Sequence, residues 1–400
     1  MKDICDIKKC TGCNLCVSVC PKNCIEFKKE YNGHTYPLID ESTCIDCNKC
    51  VKFCIANQTN ISKNEAKFGC YAAWHKNPTE QYESASGGVA TAITRFILKQ
   101  GGKVYGCAWN NKLEAIHIGI ESEGEIEKLR KSKYTLSKIT KELFQDIKTE
   151  VDSGRLCLFI GVACQCDAIK KYMKTVPNNL IIIDLLCRGG ASPLLFSHHI
   201  NYLTKKYKLK DINNVTFRGG DYDCRIALRH NNQVKYHGRQ FENEYFLGFM
   251  SHVLYRESCF SCQYASRNRI GDITLADFWG LDESIVEKYD FQKKGVNLTL
   301  INTEKGKMIL DAIKSEINLM SRPIEEAVAG NETLQYPTPK PEKYDFFWQN
   351  MKEYSFEESM HITFKKEYDT IRINKIKYLI IAPLKFIKHR ILKKYIKKFL

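Results

Sequence analysis

The sequence predicts an α/β fold (α+β over the whole chain) with a separate N-terminal unit and a C-terminal tail, and three features support this organisation. From about residue 83 to 330, apolar runs rich in β-branched residues alternate with helical patterns. Residues 1–60 form a separate cysteine-rich unit with an internal repeat, and a basic tail with helical periodicity ends the sequence. We therefore expect an N-terminal domain at 1–60, a linker at 61–82, a mixed-sheet α/β domain at 83–335 and a C-terminal extension at 336–400.

Six apolar runs predict strands of the α/β domain. They are KVYGCAW (103–109), LCLFIGVA (156–163), LIIIDLLC (180–187), VTFRG (215–219), ITLADFW (273–279) and VNLTLIN (296–302). Helical patterns fall between them at about 87–100, 136–151, 165–174, 193–206 and 304–317. This alternation indicates that at least part of the sheet is parallel.

Composition narrows the class of protein. Nineteen cysteines in 400 residues are many, and the first residues lack the apolar stretch of a secretory signal, so we expect a cytoplasmic protein with reduced thiols. Metal–thiolate ligation is then favoured over disulfides, and no apolar run is long enough to span a membrane. Ten Lys or Arg residues of this chain of net charge +15 lie between Arg372 and Leu400. The charge belongs to a tail, which argues against nucleic-acid binding.

The N-terminal unit repeats one cysteine spacing twice at an offset of 34 residues. The spacing CxxCxxCxxxC places Cys10, Cys13, Cys16 and Cys20 in the first repeat and Cys44, Cys47, Cys50 and Cys54 in the second. Three thiolates of a 4Fe–4S cluster come from one tight CxxCxxC loop, and the fourth cysteine of each run ligates the other cluster. Cluster one is therefore assigned to Cys10, Cys13, Cys16 and Cys54, and cluster two to Cys44, Cys47, Cys50 and Cys20.

The doubled quartet resembles the bacterial-type two-cluster ferredoxins over about 50 residues. Zinc sites are the alternative, but they favour two CxxC pairs over two quartets. Ile55 departs from the ferredoxin pattern, which has a second proline there. Cys5 and Cys24 fall outside both quartets and are interpreted as buried thiols.

A late CxxC, formed by Cys259 and Cys262, lies far from the other paired cysteines. Cys164 follows one predicted strand and opens a helix, and Cys187 ends the next strand. If these strands are parallel neighbours, both sulfurs lie at the same edge of the sheet, and the helix N-terminus favours a thiolate at Cys164. The four cysteines suggest a third 4Fe–4S cluster. A redox dithiol or half of a zinc site remains an alternative for the CxxC, as do core thiols for Cys164 and Cys187.

The region 84–306 resembles the coenzyme F420 hydrogenase/dehydrogenase beta-subunit family. The motifs that carry the resemblance are SASGGVATAI, KSKYTLSK, GVACQ, DLLCRGG, FRGG, CFSC, GDITLADFWG and GVNLTLINTEKG. Members exchange electrons between FAD and iron–sulfur clusters, and some carry a fused two-cluster ferredoxin unit. The resemblance implies a third cluster held by Cys164, Cys187, Cys259 and Cys262.

The same resemblance implies which residues bind FAD. The glycine-rich turn before a helix suits a phosphate. A second loop is expected to contact the flavin, with Lys133 favouring its reduced, anionic form. The expected contacts are Ser86, Gly87, Gly88, Thr91, Ser132, Lys133, Tyr134 and Ser137. Lys131 and Ala163 depart from the family pattern, which usually has Gly and Pro there.

The C-terminal segment from Pro383 has an apolar helical side and a basic one. The apolar side holds Leu384, Ile387, Ile391, Tyr395 and Phe399. A helix over 383–400 suits peripheral contact with the inner membrane surface, and equally suits docking on an acidic partner or on its own domain.

These patterns and the resemblance together imply an iron–sulfur flavoprotein oxidoreductase of the F420 hydrogenase/dehydrogenase beta-subunit type. Electrons pass between the ferredoxin-type clusters, the third cluster, FAD and a two-electron partner, which is a reduced deazaflavin-type coenzyme or an organic substrate. A ferredoxin or an electron-accepting enzyme is the expected redox partner. Two alternatives are a ferredoxin-dependent reductase of a membrane-associated or lipid-linked substrate and a non-catalytic iron–sulfur carrier or scaffold. No Ser–His–Asp set, paired-carboxylate signature or P-loop is present, and no catalytic residue is assigned.

Overall fold

The computed structural model describes residues 3–30, 33–218, 224–231, 233–239 and 242–373. Within them the protein is a mixed α/β structure, as predicted, with an eight-stranded sheet at its centre. The predicted basic helix at 383–400 lies outside the described residues.

The N-terminal unit is a hairpin flanked by two short helices. Its elements are α1 (Leu15–Val19), β1 (Ile25–Lys29), β2 (Thr35–Ile39) and α2 (Lys49–Phe53). Each helix begins after an asparagine in the left-handed region, Asn14 at φ 63° and Asn48 at φ 58°. Asparagine adopts this conformation more readily than other side chains, so the two CxxCxxC loops fold alike.

The strands of the central sheet are β3 (Cys70–His75), β4 (Lys103–Trp109), β5 (Ala115–Ile120), β6 (Cys157–Val162), β7 (Leu180–Leu185), β11 (Ile273–Asp277), β12 (Asn297–Ile301) and β13 (Ile317–Ser321). Their order across the sheet is β13-β3-β12-β11-β7-β6-β4-β5. The pairs β4–β6, β6–β7 and β7–β11 are parallel, and the outer pairs are antiparallel. The predicted parallel neighbours β6 and β7 are confirmed.

Helices cover both faces of this sheet. Those that precede the C-terminal region are α3 (Pro78–Glu83), α4 (Val89–Lys99), α5 (Ile126–Leu129), α6 (Lys141–Asp152), α7 (Ala163–Met173), α8 (Pro193–Lys206), α9 (Glu244–Met250), α10 (Glu283–Lys288), α11 (Phe291–Lys294) and α12 (Glu304–Ala312). Along β6, Phe159 packs with α6 and α7, whereas Leu158 packs with α4 and α12. Alternate residues of each buried strand thus face opposite layers.

A second core lies beside the sheet. It is built on the antiparallel strands β8 (Asn214–Arg218), β9 (Cys224–His230) and β10 (Gln233–Arg239), with α8 and α9 packed against them. The C-terminal helices are α13 (Ile324–Gly330), α14 (Lys343–Asn350) and α15 (Phe356–Thr363). Phe347 and Met360 of α14 and α15 are buried in this second core.

The N-terminal unit packs directly on α6 and α7. Leu15 and Ile55 are buried in the same core as Phe144 and Ile169. Polar contacts join the two parts as well, since the Asn14 side chain donates to the Ile139 carbonyl at 2.8 Å. The unit is therefore part of the same folded body.

Two predicted boundaries need correction. Residues 61–82, predicted as a linker, contain β3, which pairs with β12 and β13 inside the sheet. The strand sequence CYAAWH has few branched side chains, so its apolar pattern is weak. Residues 336–373, predicted as an extension, contribute α14 and α15 to the second core.

Candidate functional site

One cross-repeat set of cysteines faces the body of the protein. Cys16 and Cys13 interact electrostatically with each other, with Cys10 and with Cys54. Burial raises the pKa of Cys13 to about 12, whereas the backbone N–H groups of Gly12 and Leu15 donate to Cys10 and Cys13 and lower the pKa of each thiol. Such amide donors to sulfur are a normal part of iron–sulfur sites.

The other cross-repeat set lies nearer to solvent. Cys20, Cys44, Cys47 and Cys50 line one small hollow. Cys47 is exposed, and Cys44 and Cys50 are half-buried. Each set combines three cysteines of one repeat with the last cysteine of the other, which is the composition that cross-ligation requires.

Cys5 and Cys24 each lie beside one set. The Cys5 thiol donates toward Cys10 and Cys54 and lowers the pKa of both, that of Cys10 to about 6. The sulfur of Cys24 is 3.4 Å from that of Cys20. The prediction of buried thiols describes Cys24, whereas Cys5 is only partly buried.

The structure brings Cys164, Cys187, Cys259 and Cys262 together. Cys164 is the second residue of α7 and Cys187 follows β7, so both lie at the carboxyl edge of the parallel strands. The charges of Cys187, Cys259 and Cys262 act on Cys164, and so does that of Cys13. The backbone N–H of Gly190 donates to the Cys259 sulfur at 3.3 Å. This third set therefore lies next to the set that contains Cys13.

Burial is the main influence on the pKa values of the thiols in the third set. It raises the pKa of Cys187 to about 12 and that of Cys259 to about 11, and it raises the pKa of Cys164 well above its ordinary value. Burial thus outweighs the N-terminus of α7, contrary to the sequence expectation of a thiolate at Cys164. A thiol that coordinates a metal ion loses its proton outright, so the raised pKa values are compatible with a ligand role.

Cluster ligation differs from the binding of a single ion. In the described ranges, no group of three or more His, Cys, Asp or Glu side chains is close enough to hold one metal ion. The four thiolates of a 4Fe–4S cluster bind four different iron atoms, so their sulfurs surround a larger core. Each of the two N-terminal sets supplies the four cysteines that such a cluster requires.

A cavity of about 740 Å³ opens beside the third set. All four of its cysteines line the cavity, together with seven of the eight expected flavin contacts: Ser86, Gly88, Thr91, Ser132, Lys133, Tyr134 and Ser137. This volume is within the range of small-molecule and cofactor sites. The eighth residue, Gly87, does not line the cavity.

Gly87 packs the glycine-rich turn against the sheet. A Cβ at this position would lie 2.3 Å from the Ala73 carbonyl oxygen and 2.7 Å from the Asn297 nitrogen. The Gly87 carbonyl accepts from the His75 N–H at 2.7 Å, and the Ser86 hydroxyl donates to the Val296 carbonyl at 2.8 Å. These contacts hold the N-terminus of α4 at the cavity wall.

Lys133 is held by its own loop. Its ammonium group donates to the carbonyls of Arg130 at 2.7 Å and Lys131 at 3.2 Å. Burial lowers the pKa of Lys133 to about 8. The lysine therefore stays mainly protonated at neutral pH and places a positive charge at the lining of the cavity.

Arg130 is a candidate residue that sequence reasoning missed. It lines the cavity with an 8% exposed side chain, and its two terminal guanidinium nitrogens form ion pairs with Glu80 and Glu127. Its Nε is buried and has no hydrogen-bond partner among the described residues. An orphaned cationic donor near the N-terminus of α4 fits an anionic group in the cavity. Nothing in the sequence separates Arg130 from the neighbouring basic residues.

A neutral polar group at the cavity was also missed. His117 on β5 and Cys107 on β4 are register partners that both line the cavity. The Ser137 hydroxyl is 3.2 Å from His117 Nδ1, and the Gln165 amide donates to the same hydroxyl at 3.0 Å. Burial lowers the pKa of His117 to about 4, so it is neutral at pH 7. The signal was a lone histidine in the apolar run AIHIGI.

The described part of the chain contains no helix with the length and apolar character needed to cross a bilayer.

Comparisons with known proteins cover both halves of the site. Residues 154–327 match the family model for the C-terminal part of the coenzyme F420 hydrogenase/dehydrogenase beta subunit, and residues 9–58 match the model of the 4Fe-4S dicluster domain. The comparison with curated proteins found no match to the chain. A chain from the structure of the F420-reducing NiFe hydrogenase complex of Methanosarcina barkeri is 16% identical, with a TM-score of 0.45. That match covers 79% of this chain and 94% of the other.

The regions of the chain that match the two family models contain all three cysteine sets. The first model covers all four cysteines of the third set, Cys164, Cys187, Cys259 and Cys262, which line the cavity. The second model contains both N-terminal cysteine quartets. The chain therefore carries an N-terminal 4Fe–4S dicluster domain and a region that matches the C-terminal part of the beta subunit, and it is an iron–sulfur electron-transfer oxidoreductase related to the coenzyme F420 hydrogenase/dehydrogenase beta subunit.

Proposed function

We propose that the protein passes electrons between ferredoxin-type clusters and FAD, coupled to a two-electron partner that is a reduced deazaflavin-type coenzyme or an organic substrate. FAD, when bound, converts between the pair of electrons of such a partner and the single electrons that iron–sulfur clusters carry. The observation that carries the proposal is the shared cavity, whose wall contains both the third cysteine set and seven expected flavin contacts.

The proposed ligands form three quartets, one for each proposed cluster. Cluster two is held by Cys20, Cys44, Cys47 and Cys50, cluster one by Cys10, Cys13, Cys16 and Cys54, and cluster three by Cys164, Cys187, Cys259 and Cys262. The proximity of Cys13 to Cys164 supports cluster one as the neighbour of cluster three. The exposure of Cys47 supports cluster two as the contact point for a redox partner protein.

Residues that line the cavity beside the third cysteine set would bind and orient FAD. The N-terminus of α4, with Ser86, Gly88 and Thr91, suits its phosphates, and the unsatisfied Nε of Arg130 adds a donor to them. Lys133, in the same loop as Arg130, supplies a half-buried positive charge. A charge there favours the reduced, anionic flavin over the neutral oxidised one.

The test is anaerobic purification with iron, sulfide and flavin quantified. Three 4Fe–4S clusters and FAD predict about twelve iron atoms and one flavin per chain. Cys187→Ser should lower the iron content to about eight, because one cluster loses a ligand. Cys166→Ser is the matched control, since Cys166 is buried in the same helix region but donates to the carbonyls of Gly161 and Ile183.

The outcomes separate the parts of the proposal. About eight iron atoms in the unmodified protein would remove cluster three, and zinc without flavin would leave only a scaffold. Reduced deazaflavin coenzyme added anaerobically should bleach the flavin absorbance if it is the two-electron partner. A flavin that a low-potential ferredoxin reduces, but the deazaflavin does not, would favour an organic substrate instead.

A further inference from the structure

A buried arginine joins the N-terminal unit to the late CxxC. Arg256 is 2% exposed and is one of the largest fully buried side chains. A buried guanidinium is costly unless its donors find partners. Its position between two cysteine sets is therefore informative.

The guanidinium of Arg256 is directed at the proposed cluster-one loop. Its Nε donates to the Cys10 carbonyl at 2.5 Å, and one terminal nitrogen donates to the Cys10 sulfur at 3.3 Å and to the Thr35 carbonyl at 2.9 Å. The group also lies over the Tyr36 ring, 4.0 Å from its centroid. All of these partners belong to the N-terminal unit.

Gly12 leaves space for this contact. A Cβ on Gly12 would lie 3.1 Å from the other terminal nitrogen of Arg256, and its φ of +72° is one that side chains rarely adopt. The cluster-binding loop and the arginine therefore fit each other.

The backbone of Arg256 hydrogen-bonds to Cys259 of the third cysteine set and to the nearby Gly190. Its N–H donates to the Gly190 carbonyl at 2.9 Å, and its carbonyl accepts from the Cys259 N–H at 2.9 Å. Gly190 in turn donates to the Cys259 sulfur. One residue thus contacts a sulfur of one set through its side chain and supports the other set through its main chain.

We propose that Arg256 is a positioning residue that raises the reduction potential of cluster one and fixes that cluster against the third cysteine set. Reduction adds one negative charge to a cluster, and a cationic donor on a ligand sulfur stabilises that charge more than it stabilises the oxidised form. The inference rests on the proposed role of Cys10 as a ligand of cluster one, and it is independent of FAD.

The test is an anaerobic redox titration of the full chain followed by electron paramagnetic resonance. The step that belongs to cluster one is the one that Cys13→Ala removes. In Arg256→Met this step should move to lower potential, with the ratio of reduced to oxidised cluster falling at least tenfold at a fixed potential, or about 59 mV for one electron. Arg256→Lys keeps the charge without the planar fork, so its shift should be smaller.

Arg267→Met is the matched control, because Arg267 is an exposed arginine in the same segment. It should leave every reduction step in place. An intact cluster one whose step is unmoved in Arg256→Met overturns the inference. If Cys13→Ala removes neither iron nor a reduction step, the ligand assignment fails instead.

A measurement on the unmodified sequence covers the case in which Arg256→Met does not fold. Protein grown with guanidinium-¹⁵N arginine should show a ¹⁵N hyperfine coupling in the pulsed resonance spectrum of reduced cluster one. In the described residues, Arg256 is the arginine that donates to a Cys10, Cys13, Cys16 or Cys54 sulfur. Absence of the coupling overturns the inference.

Discussion

Replacement of Gly87 by alanine tests how the glycine-rich turn supports the cavity. The added Cβ would lie 2.3 Å from the Ala73 carbonyl oxygen and 2.7 Å from the Asn297 nitrogen. Both atoms belong to the backbone of adjacent central strands, β3 and β12, which cannot shift without breaking their pairing. We therefore expect Gly87→Ala to lower the free energy of unfolding by about 1–3 kcal/mol, the usual cost of overpacking.

The assay is thermal unfolding of the anaerobic holoprotein, with bound flavin measured in parallel. Each kcal/mol should lower the melting temperature by about 2 °C in a large domain, and the displaced turn should also reduce flavin occupancy. Gly124→Ala is the control, because a Cβ on Gly124 has no heavy atom within 4 Å. If Gly87→Ala matches Gly124→Ala in melting temperature and flavin content, the packing role of Gly87 is refuted.

Three further predictions concern the cysteine sets, the domain contact and Lys133. Cys54→Ala should remove about four iron atoms and leave the other two proposed clusters, and loss of all iron would contradict separate sites. Asn14→Ala should cost about 1–3 kcal/mol more than Asn48→Ala, because both lose a left-handed asparagine but Asn14 also donates to Ile139; equal unfolding curves in urea would contradict this. Burial lowers the pKa of Lys133 from 10.5 to about 8, so between these pH values the unfolded chain binds the proton that the native protein has lost, and stability should rise with pH there. Lys133→Met should abolish that rise in urea titrations, and an unchanged pH slope would exclude Lys133 as its source.

The sequence predicted the parallel centre of the sheet because those strands are buried on both faces. LIIIDLLC is apolar almost throughout, and β7 pairs with β6 and β11 as a central strand. The hairpins were harder to predict. In β10, QVKYHGR has only two large apolar residues, Val234 and Tyr236, and is largely exposed, so its pairing with β9 depends on neighbours that the local pattern does not contain.

The cysteine sets were predictable to different degrees. The N-terminal quartets follow from local spacing, since three ligands of each come from one loop. The third set depends on a contact between residues about 70 positions apart, Cys187 and Cys259, which a resemblance to a family suggested and spacing alone did not settle. Arg256 had no signal at all, because its partner Cys10 is 246 residues away.

The packing of Leu15 and Ile55 into the core of the α/β body has a kinetic consequence. A carrier domain on a flexible tether must swing between donor and acceptor, so solvent viscosity limits its turnover. Here buried side chains hold the first and third cysteine sets at one separation, so electron tunnelling between the two clusters proposed there would need no diffusive search. Internal electron transfer should then be insensitive to added glycerol, while arrival of the external partner slows.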